Sequence, residues 1–508
     1  MKLVTVTEMR SLEQAADQQG YSYARMMSQA GRGVAEWLKS NAGEGHQSGI
    51  VGLVGTGNNG GDTLVALSHL ASAGWRAQAY LVQPRLADPL LAELQSAGGE
   101  VASMDTDPEF KLLDNWLATG PLLLDGLLGT GIRLPLKPEY ARLLAHIATT
   151  QPDLAVIAVD CPSGVDADTG AAAPETLPAR TTICMEAVKV GLIHPPAAAL
   201  AGELVTVPLG LPGHLAASRE LVDAKRVSAV LPPRPAQAHK GTFGTALIVA
   251  GSVRYTGAAY FAALAACRSG AGLVTLAAPR SLYAALAGVL PEATWLPLPE
   301  ISGGIAASAA PLVKHQLGRI KALLLGPGWG QSAQTAQFLV DLLAAGELPP
   351  LVMDADGLRL LAALPNWPGR LPAPVVLTPH PGEMAALTGL STDQVQADRE
   401  GLASRSALDW GQVVVLKGAY TIIAAPDGRT AMIPVATPAL AHAGTGDVLA
   451  GLIVGLLAQG VPPYDAALGA AWIHARAGLA AAAAHGQTAS VLASDILSTL
   501  PAVLAALS

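Results

Sequence analysis

Aspartates set behind glycines are the residues of this chain with the clearest chemical potential. Gly444-Thr445-Gly446-Asp447 opens an apolar run, Val448–Leu457. The run reads as a buried helix and the glycines as the turn that starts it. Glycine lets backbone N–H groups approach an anion, and a helix N-terminus presents unpaired N–H groups to it. Asp447 then falls in the first helical turn. The helix dipole favours a carboxylate there, yet that carboxylate would repel a bound phosphate. The conflict is tolerable if Asp447 takes or gives a proton in a reaction on phosphate. Taken alone, the motif fits an ordinary helix start equally well.

In the first half, three apolar stretches run into polar, glycine-bearing loops. Ile50–Val54 enters Gly55-Thr56-Gly57-Asn58-Asn59-Gly60-Gly61-Asp62, with a helix expected from Thr63. Pro121–Leu124 ends in Asp125 and Leu154–Val159 in Asp160, the latter followed by Cys161-Pro162-Ser163. In a parallel sheet such strand ends lie together, where ligands bind. Asn59, Asp125 and Ser163 could there converge as oxygen ligands for a hard cation, with Asp160 as an acid–base candidate. Cys161 reads as a small packing residue.

The second half repeats the pattern in Gly326-Pro327-Gly328, Asp354-Ala355-Asp356, Thr378-Pro379-His380-Pro381-Gly382-Glu383 and Lys417-Gly418-Ala419-Tyr420-Thr421. Asp354 and Asp356 could hold Mg²⁺ through water or cap a turn. Lys417 needs neighbouring N–H donors to serve a phosphate, which Gly418 and Ala419 could supply.

These residues need a scaffold. At 508 residues the chain exceeds one core, so two domains are expected. Strands alternating with helices make both halves α/β with parallel sheets. Proline clusters at Val207–Gly213 and Leu231–Pro235 put the change of domain near residue 220, giving domains 1–220 and 221–508. Hydrophobic residues at 51% and charged residues at 14% exclude disorder. A net charge of −8 without a basic block argues against nucleic acid or an anionic membrane as partner. The longest apolar helices are interrupted by Gln459, or by His474 and Arg476, and read as core, not membrane spans. Three cysteines without CxxC spacing, and no signal-like N-terminus, suit a reducing cytoplasm.

The blocks Gly57–Asp62, Asp125–Gly131, Asp160–Asp166 and Thr182–His194 resemble the YjeF N-terminal family, the NAD(P)H-hydrate epimerases, over residues 1–215. That resemblance implies a Rossmann-like doubly wound domain. It implies that Asn58, Asn59, Gly60, Gly61 and Asp62, with Gly129, Thr130, Gly131, Ile132, Arg133, Leu134 and Pro135, hold the hydrated dinucleotide. It further implies Asp160 at the damaged ring and potassium on Asn59, Asp125 and Ser163. Lys240–Gly244, Gly326–Gly328, Asp354–Gly357, Thr378–Glu383, Lys417-Gly418 and Gly444–Asp447 resemble, in order, the YjeF C-terminal family. These are ADP- or ATP-dependent NAD(P)H-hydrate dehydratases with a ribokinase-like fold. The resemblance implies Ala258, Gly328, His380 and Asp447 at the substrate, and Lys417, Gly418, Ala419, Tyr420, Thr421 and Gly446 at the adenine nucleotide.

The expected chemistry is repair of NADHX and NADPHX. The N-terminal half interconverts the R and S epimers. The C-terminal half dehydrates the S epimer with ADP and Mg²⁺, Asp447 acting as base and Gly444–Gly446 stabilising the phosphoryl charge. Nothing in the residues distinguishes ADP from ATP. The Ala-rich helices and the resemblance suggest a homo-oligomer. Two readings compete: a ribokinase-superfamily kinase of a small vitamin-like alcohol, which the Gly-Thr-Gly-Asp segment fits alone, and a non-catalytic scaffold, which would have lost site residues.

Overall fold

In a computed structural model of the chain, residues 1–41, 49–212, 219–344, 346–371 and 375–507 are described. They form two compact units, Met1–Ala217 and Ser218–Ser508.

The first unit is built on strands β1 (Ile50–Val54), β2 (Ala77–Leu81), β3 (Glu100–Ser103), β4 (Leu122–Gly126), β5 (Val156–Val159), β6 (Thr181–Met185) and β7 (Glu203–Val207). All are parallel, in the order β3-β2-β1-β4-β5-β6-β7. Every residue of β1, β2, β4, β5 and β6 is buried, as a sheet covered on both faces requires. The order reverses between β1 and β4, and the crevice at their carboxyl ends is where such folds bind ligands. Helices α1 (Val6–Gln18), α2 (Tyr23–Asn41) and α3 (Asn58–Ser72) flank it. The Thr5/Glu8 capping box starts α1, and Gly20, at φ +86°, turns the chain before α2. The loop expected as far as Asp62 is shorter than that: α3 begins at Asn58, with Gly57 as its cap.

The second unit carries β8 (Arg219–Leu221), β9 (Thr245–Val249), β10 (Leu273–Pro279), β11 (Thr294–Leu298), β12 (Ala322–Leu325), β13 (Leu351–Met353), β14 (Val375–Leu377), β15 (Val413–Leu416), β16 (Ile422–Ala424) and β17 (Thr430–Met432). Their order is β8-β17-β16-β15-β14-β13-β12-β9-β10-β11. The sheet is parallel except that β16 runs against β15 and β17, the tight turn read from Lys417–Thr421. Helices α4 (Thr256–Arg268), α5 (Pro381–Thr388), α6 (Arg399–Trp410), α7 (Thr445–Ala458), α8 (Pro463–His485) and α9 (Ala493–Ala505) complete it.

Helix α7 is buried almost all round and α4 buries five alanines, so the small residues of these helices serve internal packing. A Cβ on Gly451 would stand 2.2 Å from the Ala262 carbonyl oxygen, and one on Gly455 1.9 Å from Ser269 Oγ. Among the described residues no helix is long and apolar enough to cross a membrane.

Gly244 ends the Lys240–Phe243 turn at φ +65°, and a Cβ there would lie 1.9 Å from the Ala458 carbonyl oxygen. Gly244→Ala is expected to destabilise the second unit by about 2–4 kcal/mol through the φ penalty and the clash at the end of α7. Thermal and urea unfolding measure this; an unaltered transition would mean the backbone relaxes freely there.

Candidate active sites

In the first unit, β1 reaches the crevice through Gly55, where a Cβ would lie 1.8 Å from the Leu127 carbonyl oxygen. Only glycine lets the loops after β1 and β4 meet this closely. The crevice is a cavity of about 430 Å³ lined by Asn58, Asn59, Asp62, Gly129, Thr130, Gly131, Ile132 and Asp160. Gly60 and Gly61 are not on its wall. They make room for packing instead, against the Gly55 carbonyl and the Met27 side chain. Leu134 and Pro135 line a separate cleft of about 290 Å³, and Arg133 is exposed.

Asp160 follows β5 at φ +66°, a left-handed conformation that non-glycine residues rarely adopt. Its Oδ1 accepts the N–H of Met185 at 2.9 Å and the ammonium of Lys189. Lys189 is wholly buried; burial opposes its charge most strongly, but Asp160 together with Cys184 and Cys161 outweighs it and holds its pKa above the ordinary value. Glu13 of α1 lines the same cavity, its carboxyl pushed up by burial. Asp62 lies well above its usual range through burial and the charges of Asp160 and Glu13. Burial also pushes the Cys161 thiol far up, which leaves it unreactive at neutral pH.

Asp125 and Ser163 meet beside this cavity, and the Leu128 backbone links them to Asn59 on its wall. Ser163 donates its N–H to Asp125 Oδ2 at 2.8 Å and its hydroxyl to Oδ1 at 2.5 Å. Asn59 donates its amide to the Leu128 carbonyl at 2.9 Å, and its Oδ1 is buried without a partner. Asp125 is raised by burial, against which the Ser163 hydrogen bonds work. The buried Asp125 carboxylate and the orphaned Asn59 amide oxygen are donors of the kind a hard cation takes. No group of three or more His, Cys, Asp or Glu able to hold a metal is found among the described residues.

In the second unit Asp447 stands in the first turn of α7, capped by Gly444 at φ +91°. Burial, then the charges of Asp354, Asp356 and Glu383, lift its pKa to about 7, with Lys417 opposing. Lys417 at the end of β15 binds Asp354 Oδ1 at 2.8 Å and approaches Glu383 Oε2 at 3.7 Å. Thr378 donates to the same Asp354 oxygen at 2.7 Å. Asp356 instead accepts the N–H of Gly330 at 2.8 Å and ties down the Gly326–Gly330 turn. His380 caps α5: its Nδ1 accepts the N–H groups of Gly382 and Glu383 at 3.0 and 3.2 Å, so the ring proton sits on Nε2, facing Glu383 Oε1 at 3.3 Å. Burial lowers its pKa and keeps it neutral. Gly328, at φ +64°, abuts Ala258, whose Cβ is 2.7 Å from the position a Cβ would take.

Beside this cluster lies a cavity of about 190 Å³ lined by Lys417, Gly418, Ala419, Thr421 and Gly446, with apolar walls from Ile433, Val435, Leu440 and Leu449. A Cβ on Gly446 would be 3.4 Å from Lys417 Nζ, so the cavity and the charged cluster are contiguous. Tyr420 does not line the cavity; its N–H goes to the Val435 carbonyl at 2.9 Å.

Sequence reasoning named no role for Lys189, Glu13, Glu383 or His474. Lys189 interrupts the apolar run Ala187–Ile193, and a lone cation there was the available signal. His474 lines the cavity beside Lys417. Its pKa is lowered to about 4 by burial, and its Nε2 is buried without a partner.

Comparisons with known proteins agree with this division. Residues 23–191 match the family described as YjeF-related protein N-terminus, and residues 246–502 match NAD(P)H-hydrate dehydratase. The chain is similar to the bifunctional NAD(P)H-hydrate repair enzyme Nnr of Moorella thermoacetica, at 36% identity over 99% of this chain and 97% of that protein. It is similar to that of Salinibacter ruber at 39% identity over 94% and 92%. Among solved structures it is similar to the ADP/ATP-dependent NAD(P)H-hydrate dehydratase of Bacillus subtilis, co-crystallised with ATP and Mg²⁺. The identity is 33%, with a TM-score of 0.50, over 57% of this chain and 99% of that one. A ribokinase-like superfamily protein of Enterococcus faecalis aligns at 25% identity and a TM-score of 0.50, over 58% and 99%.

The Lys189–Asp160 pair makes a local prediction. Lys189→Met leaves Asp160 without its cation and is expected to cost about 3–5 kcal/mol, much of it recovered in Lys189→Met/Asp160→Asn. Denaturant unfolding of the single and double variants measures the coupling. Purely additive losses would mean the pair is not energetically joined.

Proposed function

The chain belongs to the bifunctional NAD(P)H-hydrate repair enzymes, and we propose that its two units repair NADHX and NADPHX in succession. The observation that carries this is Asp447, raised to about 7 in the first turn of α7, beside Lys417 and the cavity lined by the Lys417–Thr421 loop.

In the second unit the C6 hydroxyl of the S epimer faces Asp447, with Ala258, Gly328 and His380 shaping its pocket. Hydroxide leaves poorly. Asp447 takes the hydroxyl proton as the oxygen attacks the terminal phosphoryl group of ADP; the new O–P bond forms and AMP departs. Phosphate then leaves C6 and takes up the proton that leaves C5, and the ring double bond returns. Neutral His380 donates from Nε2. Lys417 and the N–H groups of Gly418, Ala419 and Gly446 face the nucleotide phosphates. Asp356 would hold Mg²⁺ through water, leaving Asp447 free as the base, and the ion would neutralise phosphoryl charge when bound. ADP, not ATP, is the assigned donor, by analogy with fused bacterial proteins of this family. The vitamin-alcohol kinase reading has no use for the first unit.

In the first unit Asp160 and Lys189 form the acid–base pair at C6, where water must leave one face and return to the other. Asn58, Asn59, Asp62 and Gly129–Ile132 hold the dinucleotide. Asn59, Asp125 and Ser163 would hold potassium, whose charge would offset the buried carboxylate of Asp125. Three free cysteines support a cytoplasmic location. A homo-oligomer, part of the same reading, is checked by light scattering at working concentration.

Asp447→Asn is expected to lower turnover of (S)-NADHX about 10²- to 10⁴-fold while calorimetric ADP binding persists. Because the base must be deprotonated, kcat/KM of the native chain should climb from pH 6 to 8 with a midpoint near 7. A flat profile, or retained turnover in the variant, excludes Asp447 as base.

The second test separates the units. Asp160→Asn should leave consumption of the S epimer intact and slow the R epimer to its uncatalysed rate. Exchanging potassium for choline should reproduce that selective loss. Equal loss on both epimers would refute the division of labour.

A further inference from the structure

We propose that Arg399 is a positioning residue for the nucleotide: its guanidinium fixes the Lys417–Thr421 loop with amide N–H groups turned toward the phosphates. This rests on the reading of that loop as the nucleotide site.

Arg399 is the first residue of α6. Its Nη1 donates to the carbonyl of Ala419, and its Nη2 to the carbonyls of Leu416 and Lys417, both at 3.2 Å. Thr421 donates its hydroxyl to the remaining carbonyl, that of Gly418, at 2.9 Å. Four successive carbonyls are therefore held by two side chains. A trans peptide points its C=O and its N–H in opposite directions, so fixing each carbonyl also aims the following N–H. Two of those N–H groups have protein acceptors: Lys417 donates to the Pro379 carbonyl and Tyr420 to that of Val435, both at 2.9 Å. Those of Gly418 and Ala419 meet no acceptor among the described residues, and both residues line the cavity. Successive unpaired N–H groups of this kind form an anion nest.

Charge and shape agree. Among the described residues no carboxylate is paired with Arg399, so its positive charge is uncompensated behind the loop. Burial lowers its pKa, yet a guanidinium stays charged at neutral pH. Gly418, at φ +143°, passes so near that a Cβ would lie 2.8 Å from Arg399 Nη2. Lysine cannot reproduce the planar fork that reaches three carbonyls.

Calorimetry with ADP alone and steady-state assays on (S)-NADHX test this. Arg399→Met should raise the KM and Kd for ADP about 10- to 100-fold, with KM for (S)-NADHX nearly unchanged and turnover of the R epimer to the S epimer intact. Arg399→Lys, which retains charge and fold, should fall between. ADP binding as tight in both variants as in the native chain would overturn the role of Arg399. So would a parallel rise in both KM values with a lowered melting temperature, the mark of a merely structural residue. Failure of the native chain itself to bind ADP would instead overturn the nucleotide assignment of the loop.

Discussion

A lysine held among carboxylates at the end of a parallel sheet is the constraint on which both units depend. Lys189 is wholly buried against Asp160, and Lys417 is largely buried against Asp354 and Glu383. A lone buried charge costs several kcal/mol, so neither lysine could stay without its partner. The pairing orders the loops after β5, β6, β13, β14 and β15 by electrostatics, where few apolar contacts are available. It also sets the chemistry. Burial raises the Asp447 pKa first, and because Lys417 is shared with Asp354 and Glu383 the surrounding charge adds to that rise, to about 7. A base for a substrate hydroxyl is most effective near the operating pH.

Close backbone approach is the second requirement, and glycine supplies it. Gly55 lets the loop after β1 touch that after β4, Gly326 lets its loop meet the Asp354 carbonyl, and Gly418 admits the Arg399 guanidinium. In each case a methyl group would occupy the space of an atom that defines the site. The glycine-rich loops are therefore less flexible linkers than points where two rigid elements meet.

Much of this was legible because buried parallel strands leave plain marks. Apolar runs ending in Asp125, Asp160, Asp354 and Lys417 gave strands and strand-end chemistry together, since period and termination both appear in the local sequence. The turn at Gly55–Asp62 was read too long, because glycine propensity suggested loop while packing of Gly60 and Gly61 against Gly55 and Met27 makes helix. Lys189, Glu13 and Arg399 were missed for another reason. Each acts on a segment distant in the chain, and a residue's partner across a fold leaves no periodicity. Only the cost of burying a charge points to them, and that cost is visible once burial is known.

The geometry of Asp447 also bears on why an epimerase and a dehydratase would share one chain. A base fixed in the first turn of a buried helix approaches a ring carbon from one side only. A site of this kind accepts one configuration at C6 and leaves the other. Hydration without an enzyme produces both, so a stereospecific dehydratase alone would repair the remainder only as fast as it epimerises unaided. The acid–base site proposed at Asp160 and Lys189, which needs no phosphoryl chemistry, would remove that limit because it has only to release water and return it to the opposite face.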